Sequence, residues 1–415
     1  MTHWEPVWRV KIDGTAYTSV ILSTVGITSG RRSIYEQARA GFVTIELIDT
    51  DRTNIPVAIN SSITVEIQDT TAAWVPIFGG NVCDIGLSVR DVGSIMFTQT
   101  YTITALGALA RLPKATTTGV LDQAGDGTQI ATILSAILFN SWSEVLSTTT
   151  WATYDATTTW ATAENDGFGD IETPGDYTLA ARSSAVTDAY TLVSALATSG
   201  LGYLYESATG KIGYADSTHR TAYLAANGYI ELNANSARAS AISIITRAGD
   251  VRNSVTIKYG ATGASEVSAT DTDSISQYGT LAQIVQTTLF SGTDASAQAD
   301  FYLLLRKQPH PIFDEITFDL TNPDLSAAER NSLLAIFMGA PVSIINLPSN
   351  MAGGSFQGFV EGWTFRAGYK RLAVTLFITP LAYSLRAMSW AEVPISETFS
   401  SVSPTLDWAN ATMVA

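Results

Sequence analysis

Five acids, Glu164, Asp166, Asp170, Glu172 and Asp176, gather in a stretch that also carries Gly and Pro. Two carboxyl groups at a set separation are what glycoside hydrolysis needs, and the sequence alone supplies no such separation. A solvated loop is the simpler reading of a charge run in this setting. The stretch also lacks the regular ligand spacing of an EF-hand, so whether Glu164 to Asp176 holds calcium stays open. Asp271-Thr272-Asp273 likewise reads as a turn. His3, His219 and His310 lie far apart and form no metal-binding pair, and Cys83, the only cysteine, can make neither an intrachain disulfide nor a thiolate cage. No Gly-x-Ser-x-Gly elbow, phosphate-binding loop or dinucleotide fingerprint is present. The expectation is therefore no catalytic residue, no cofactor and no metal. Flat aromatic faces remain: Trp142, Trp151 and Trp160, the last two inside the repeated Trp-Ala-Thr units that begin at 151 and 160. They are the candidate contacts for a glycan, against the more usual use of Trp in a core or a subunit contact.

The elements that must position these residues are mostly strands. Val7 to Ile12 leads into Asp13-Gly14, which reads as a two-residue hairpin turn, and Ala16 to Leu22 returns. Phe42 to Ile48, Ile63 to Gln68, Val75 to Phe78, Asn81 to Val89 and Ile95 to Thr104 follow, many alternating apolar residues with Thr or a charge. After Leu112-Pro113 a capping Asp126 precedes a helix from Thr128 to Phe139. A second helix is capped at Thr187 or Asp188, stops at Gly200, and gives way to a hairpin, Gly202 to Tyr205 and Lys211 to Tyr214. Strands resume from Ala241, including Ser254 to Tyr259, and a helix from Asp294 to Lys307 ends before Pro309 and Pro311. Ile312 to Leu320, Val342 to Ile345, Ser355 to Trp363 and Leu372 to Thr379 are the last strands. The domains expected are a β domain over 1–112, an α+β insert over 113–240, a second β domain with its preceding strands and helix over 241–385, and a terminal segment over 386–415.

Composition constrains the partners. Only 15% of residues are charged, against about 25% in an average soluble protein, while 46% are hydrophobic. Neighbouring subunits are the simplest cover for the surplus apolar surface, so an oligomer is expected. The net charge of −15 disfavours tight binding to nucleic acid, although an acidic wall would let nucleic acid slide past. Met1 to Lys11 holds no apolar signal core, and nothing later approaches the roughly 20 apolar residues of a membrane span, so assembly in the cytoplasm without membrane insertion is expected.

The second β region restates the first. FVTIELID from Phe42 corresponds to FDEITFDL from Phe313, within a slip of a residue or two, and ITVEI from Ile63 to VSIIN from Val342. FGGNVCD from Phe78 corresponds to FQGFVEG from Phe356, and QTYTITAL from Gln99 to VTLFITPL from Val374. Order is kept across all of these strands, which points to a duplicated domain. Two such domains per chain in a closed trimer would set six similar domains in a circle.

On these residues the sequence resembles the tail-hub proteins of tailed phages, also called baseplate hub or minor tail proteins. The resemblance rests on Ile77 to Val82 with Phe97 to Ala105, on the helix and hairpin from Asp188 to Tyr214, and on Ser274 to Gly279 with Ala295 to Arg306 and Ile316 to Leu320. It implies a mainly β fold, two tail-tube-like antiparallel β domains flanking a small α+β domain. It further implies a structural, non-enzymatic homotrimer at the virion tail tip, assembled in the host cytoplasm. Such a ring would adapt the sixfold tube, or a distal tail ring, to a threefold tip carrying tip or fibre proteins, and pass DNA without binding it. A glycan-binding accessory protein using Trp142, Trp151 and Trp160 is the alternative.

Overall fold

The computed structural model describes all of the chain except residues 1–3, 18–20, 35, 50–54, 90–98, 139–149, 152–154, 160–166, 310, 369 and 382–415. The chain is mainly β, with two tube-like antiparallel β domains and an α+β insert. It forms two compact units. One comprises the residues up to Gly30, Gln37–Asp216 and Thr364–Leu372; the other comprises Arg31–Glu36, Ser217–Trp363 and the chain from Ala373.

The first unit opens with β1 (Trp8–Ile12) and β2 (Thr15–Tyr17), joined at Asp13-Gly14. Both turn residues have positive φ, 47° and 78°, the left-handed conformation that a two-residue hairpin needs. The Asp13 carboxylate then accepts from the Ser62 N–H at 2.8 Å and fastens the turn to the neighbouring strand. β3 (Ile21–Gly30), β4 (Phe42–Asp49), β5 (Ser62–Gln68), β6 (Trp74–Val89) and β7 (Gln99–Leu106) complete the domain. The spatial order is β3-β4-β7-β6-β5-β1-β2. Alternation places Val43, Ile45 and Leu47 of β4 and Ile103 of β7 in the core, while Thr44 and Thr102 face outward. Two stretches expected as separate strands, Val75 to Phe78 and Asn81 to Val89, form one, because Gly79-Gly80 lies extended inside β6 and pairs with Thr64 and Ile63.

The insert carries α1 (Asp126–Leu138), β8 (Phe168–Ile171), α2 (Ala189–Ser199) and the hairpin β9 (Tyr203–Glu206) and β10 (Ile212–Ala215). α2 starts and stops as its sequence dictates: the Asp188 side chain accepts from the Thr191 N–H at 2.8 Å, and Gly200 follows its last turn. Asp126 is not a simple cap. It is fully buried at the first turn of α1 and its carboxylate accepts from the Tyr177 N–H at 2.9 Å and from the Tyr214 hydroxyl. Burial pushes its carboxyl up to about 6, with the Tyr214 and Tyr177 bonds pulling the other way.

In the second unit α3 (His219–Asn227) and β11 (Ile230–Asn233) precede β12 (Ala237–Thr246). A small layer follows: β13 (Ser254–Tyr259), β14 (Ser265–Thr270), α4 (Thr272–Tyr278), β15 (Ala282–Gln286) and α5 (Gly292–Arg306). β16 (Pro311–Asp319), α6 (Ala327–Leu334), β17 (Pro341–Ile345), β18 (Phe356–Gly368) and β19 (Arg371–Pro380) close the chain. Asp271, expected in a turn, caps α4 by accepting from the Ser274 N–H at 2.8 Å. Phe313, Phe318 and Phe359 are among the largest fully buried side chains of this unit.

The two β domains share one strand order. β3-β4-β7-β6-β5 in the first corresponds to β12-β16-β19-β18-β17 in the second; beyond these the outermost strands differ, since β1 runs antiparallel to β5 and β11 parallel to β17. The register matches as well. Ile63 pairs with Gly80 and Val65 with Phe78; Val342 pairs with Gly358 and Ile344 with Phe356. Val25-Ile45-Ile103 forms one row across three strands, and Ile242-Ile316-Leu376 forms its counterpart. Leu376 therefore matches Ile103, and β19 stands two residues earlier than sequence alignment alone suggested. An even shift keeps every side chain on its own face, so alternation cannot detect it.

A candidate assembly interface

The two domains also share the reason for a glycine. A Cβ on Gly80 would lie 2.2 Å from the Leu106 carbonyl oxygen and 3.1 Å from the Phe78 ring. A Cβ on Gly358 would lie 2.2 Å from the Thr379 carbonyl oxygen and 3.0 Å from the Phe356 ring. In both domains the aromatic two residues upstream folds over a glycine that lets the next strand approach.

What lies on the equivalent faces differs. Glu361 of β18 is fully buried. Its carboxylate accepts from Arg31 Nε at 2.7 Å, from Arg220 Nη1 at 2.7 Å and from the Thr379 hydroxyl at 2.7 Å. Burial opposes its ionisation, but the guanidiniums of Arg220 and Arg31 outweigh that, and the carboxyl is held down to about 2. Arg220 belongs to α3, which packs Leu224 against Phe359 and Leu381. Arg31, the residue directly after β3, also donates its backbone N–H to the Glu361 carbonyl at 2.8 Å, and Arg32 stacks over Phe377 at 4.7 Å.

The matching stretch of β6 is bare. A bulge between Val82 and Asp84 leaves Cys83 as the extra residue, so the position that Glu361 takes three residues after Gly358 falls, three residues after Gly80, at the Cys83-Asp84 bulge. Cys83, Asp84, Gly86, Leu87 and Ser88 are all exposed, Leu87 at 60%. Polar contacts are spent elsewhere in this unit, on fastening the insert to the β domain. The Gln37 side-chain amide donates to the Gly202 carbonyl and accepts from the Leu204 N–H, each at 3.1 Å, standing in for a strand neighbour of β9. Tyr190 donates to the Ala38 carbonyl at 2.9 Å. The Glu206 carboxylate accepts from the N–H groups of Gly41 at 2.8 Å and Leu109 at 2.6 Å. Burial raises Glu206 to about 7, against the pull of those two N–H donors.

Of the residues singled out from sequence, Trp142 and Trp160 lie outside the described residues; Trp151 ends a two-residue strand, Thr150–Trp151, and its side chain also lies outside them. Glu164 and Asp166 are likewise outside. Glu172 has a structural use, accepting from the Asp216 N–H at 2.7 Å, and among the described residues no group of acids, His or Cys is placed to hold a metal ion. His219 stacks on Tyr223 at the start of α3, and His3 and His310 lie outside the described residues. Sequence reading missed Arg31, Arg220, Glu206 and Glu361. Nothing local marks them, since each is defined by partners far along the chain.

No family model matches the sequence, and no curated protein matches it. Solved structures do match in fold. The tail protein from Neisseria meningitidis MC58 superimposes with a TM-score of 0.59 at 10% identity, over 92% of this chain and 100% of that one. The 43 kDa tail protein of prophage MuSo2 from Shewanella oneidensis superimposes with a TM-score of 0.54 at 12% identity, over 91% of this chain and 99% of that one. The chain thus shares its fold with these two tail proteins, a mainly β architecture in keeping with the one expected from the sequence.

Proposed function

We propose that this chain is a structural subunit of a phage tail tip, a hub. Three copies close into a ring whose six similar β domains meet the sixfold tail tube or a distal tail ring on one side and a threefold tip with its tip or fibre proteins on the other. DNA passes through the ring without specific binding, and the net charge of −15 favours a wall that does not hold it. The role is mechanical and not enzymatic, and the particle is assembled in the host cytoplasm. The work divides among a tube-like domain over 1–112, an insert over 113–240, the second tube-like domain over 241–385 and a terminal segment over 386–415.

The single observation that carries this reading is the shared strand order and register of the two β domains. A subunit whose own two halves match has the means to show a sixfold face while obeying threefold symmetry. Two structures of tail proteins, one of them from a prophage, matched over nearly their whole lengths, lend it support. The test is to image phage tails in which the chain bears a bulky tag. The expected result is tag density in one ring at the tip; density repeating along the tube would contradict the reading.

A further inference from the structure

The counterpart relation leaves two strand edges without a neighbour. β3 has β4 on one side and, within its own unit, the Thr364–Gly368 end of β18 on the other. Its counterpart β12 has β16 on one side and, among the described residues, nothing on the other. β6 pairs with β5 as far as Asn81, and Val82 exchanges bonds with Asn60 and Ser61 just before β5; among the described residues, 84–89 pair with β7 alone. The matching part of β18, from Glu361 onward, is the part that receives β3 and Arg31. One strand edge of each kind is filled inside the chain, and one of each kind is left over.

We propose that the leftover edges fill each other between copies: the β12 edge of one copy lies along residues 83–89 of β6 in the next, with Arg247 facing Asp84 as Arg31 faces Glu361. The inference rests on the ring reading and names the contact that closes the ring. Arg31 is the first residue after β3, and Arg247 is the first residue after β12. Pairing supports the match, since Val25 and Ile242 stand in equivalent rows and β16 carries one extra residue, Asp314, opposite the step from Ser243 to Ile244, so that Arg247 ends as many β16 positions beyond its row as Arg31 does along β4. Both Arg247 and Asp84 are exposed and opposite in charge. Leu87, exposed on the same strand, is covered when a second strand is laid beside it. An open strand edge invites uncontrolled association, and a dedicated partner edge removes that hazard. Each chain offers one donor edge and one acceptor edge, so the contact runs head to tail, the kind that makes a ring when three copies complete the turn.

Cys83, the only cysteine and an exposed one, is the natural probe. In the full chain carrying Thr246→Cys, a short thiol-to-thiol crosslinker is expected to give covalent dimers and trimers, and none when Cys83→Ser is added. Asp84→Arg and Arg247→Glu are each expected to weaken trimer formation by about tenfold or more in sedimentation, as expected when like charges meet at a contact. Combining them restores the trimer, which separates a lost contact from a misfolded subunit. Trimers that persist in both single variants, or that fail to crosslink, overturn this pairing and leave the ring standing. A parent chain that sediments only as a monomer overturns the ring and the pairing together.

Discussion

The two β domains are alike in backbone and unlike in dress. Each lays its strands in the same order, and each sets a Phe-x-Gly against the carbonyl of the adjoining strand. On the second, however, the face around Glu361 is sealed by Arg31, Arg220 and α3, whereas on the first the face around Asp84 is open. The difference teaches that strand pairing and close approach hold the duplicated architecture, while the outer face is free to follow whatever covers it. Within the chain that cover is α3 and the chain beyond β3; in the assembly we assign it to a second copy.

The comparison breaks most visibly at the two acids. Glu361→Ala leaves two buried guanidiniums without their carboxylate and is expected to cost about 3–5 kcal/mol in denaturant unfolding. Asp84→Ala, measured on the dissociated subunit, should stay within about 0.5 kcal/mol, as exposed substitutions do. Equal costs at the two positions would mean that the faces are not differently covered.

The glycines sharpen the likeness instead. Gly80→Ala and Gly358→Ala each drive a Cβ toward a backbone carbonyl at 2.2 Å and should each cost about 1–3 kcal/mol. Gly26→Ala, which meets nothing within 4 Å, should be far milder. A large cost at one of the paired glycines and none at the other would contradict their equivalence.

A smaller contrast is expected against pH. Glu361 is held at about 2, below its ordinary 4.5, so its contribution is complete above pH 4.5 and is lost as pH falls toward 2. Glu206 is raised to about 7, so the folded chain keeps its proton where the unfolded chain has lost it, and stability declines as pH rises from 4.5 toward 7. Glu361→Gln should flatten the acid limb of a melting-temperature profile, and Glu206→Gln the limb between pH 4.5 and 7. A profile unchanged by either substitution would remove that carboxylate from the account.

Much of the architecture was legible because strands with one buried face announce themselves by alternation, as in Thr44-Ile45-Glu46-Leu47. The repeat was legible because the Phe-x-Gly pair and its neighbours return in order. α3, α4 and α6 were not read, since each is short and offers few apolar positions to set a helical period. α6 did carry a local signal, a capping box in which Ser326 and Glu329 exchange bonds with each other's backbone. The counterparts β3 and β12 escaped notice because their side chains do not resemble each other; only their neighbours in the sheet reveal them. Arg31 and Glu361, 330 positions apart, could be joined only by the fold.

The most direct measurement is an image of the purified assembly viewed down its axis, together with its mass. The account predicts a particle of three chains whose rotational average shows threefold symmetry with six near-equal lobes, each lobe one β domain. A lone chain, or a ring whose lobes do not come two to a subunit, would contradict it.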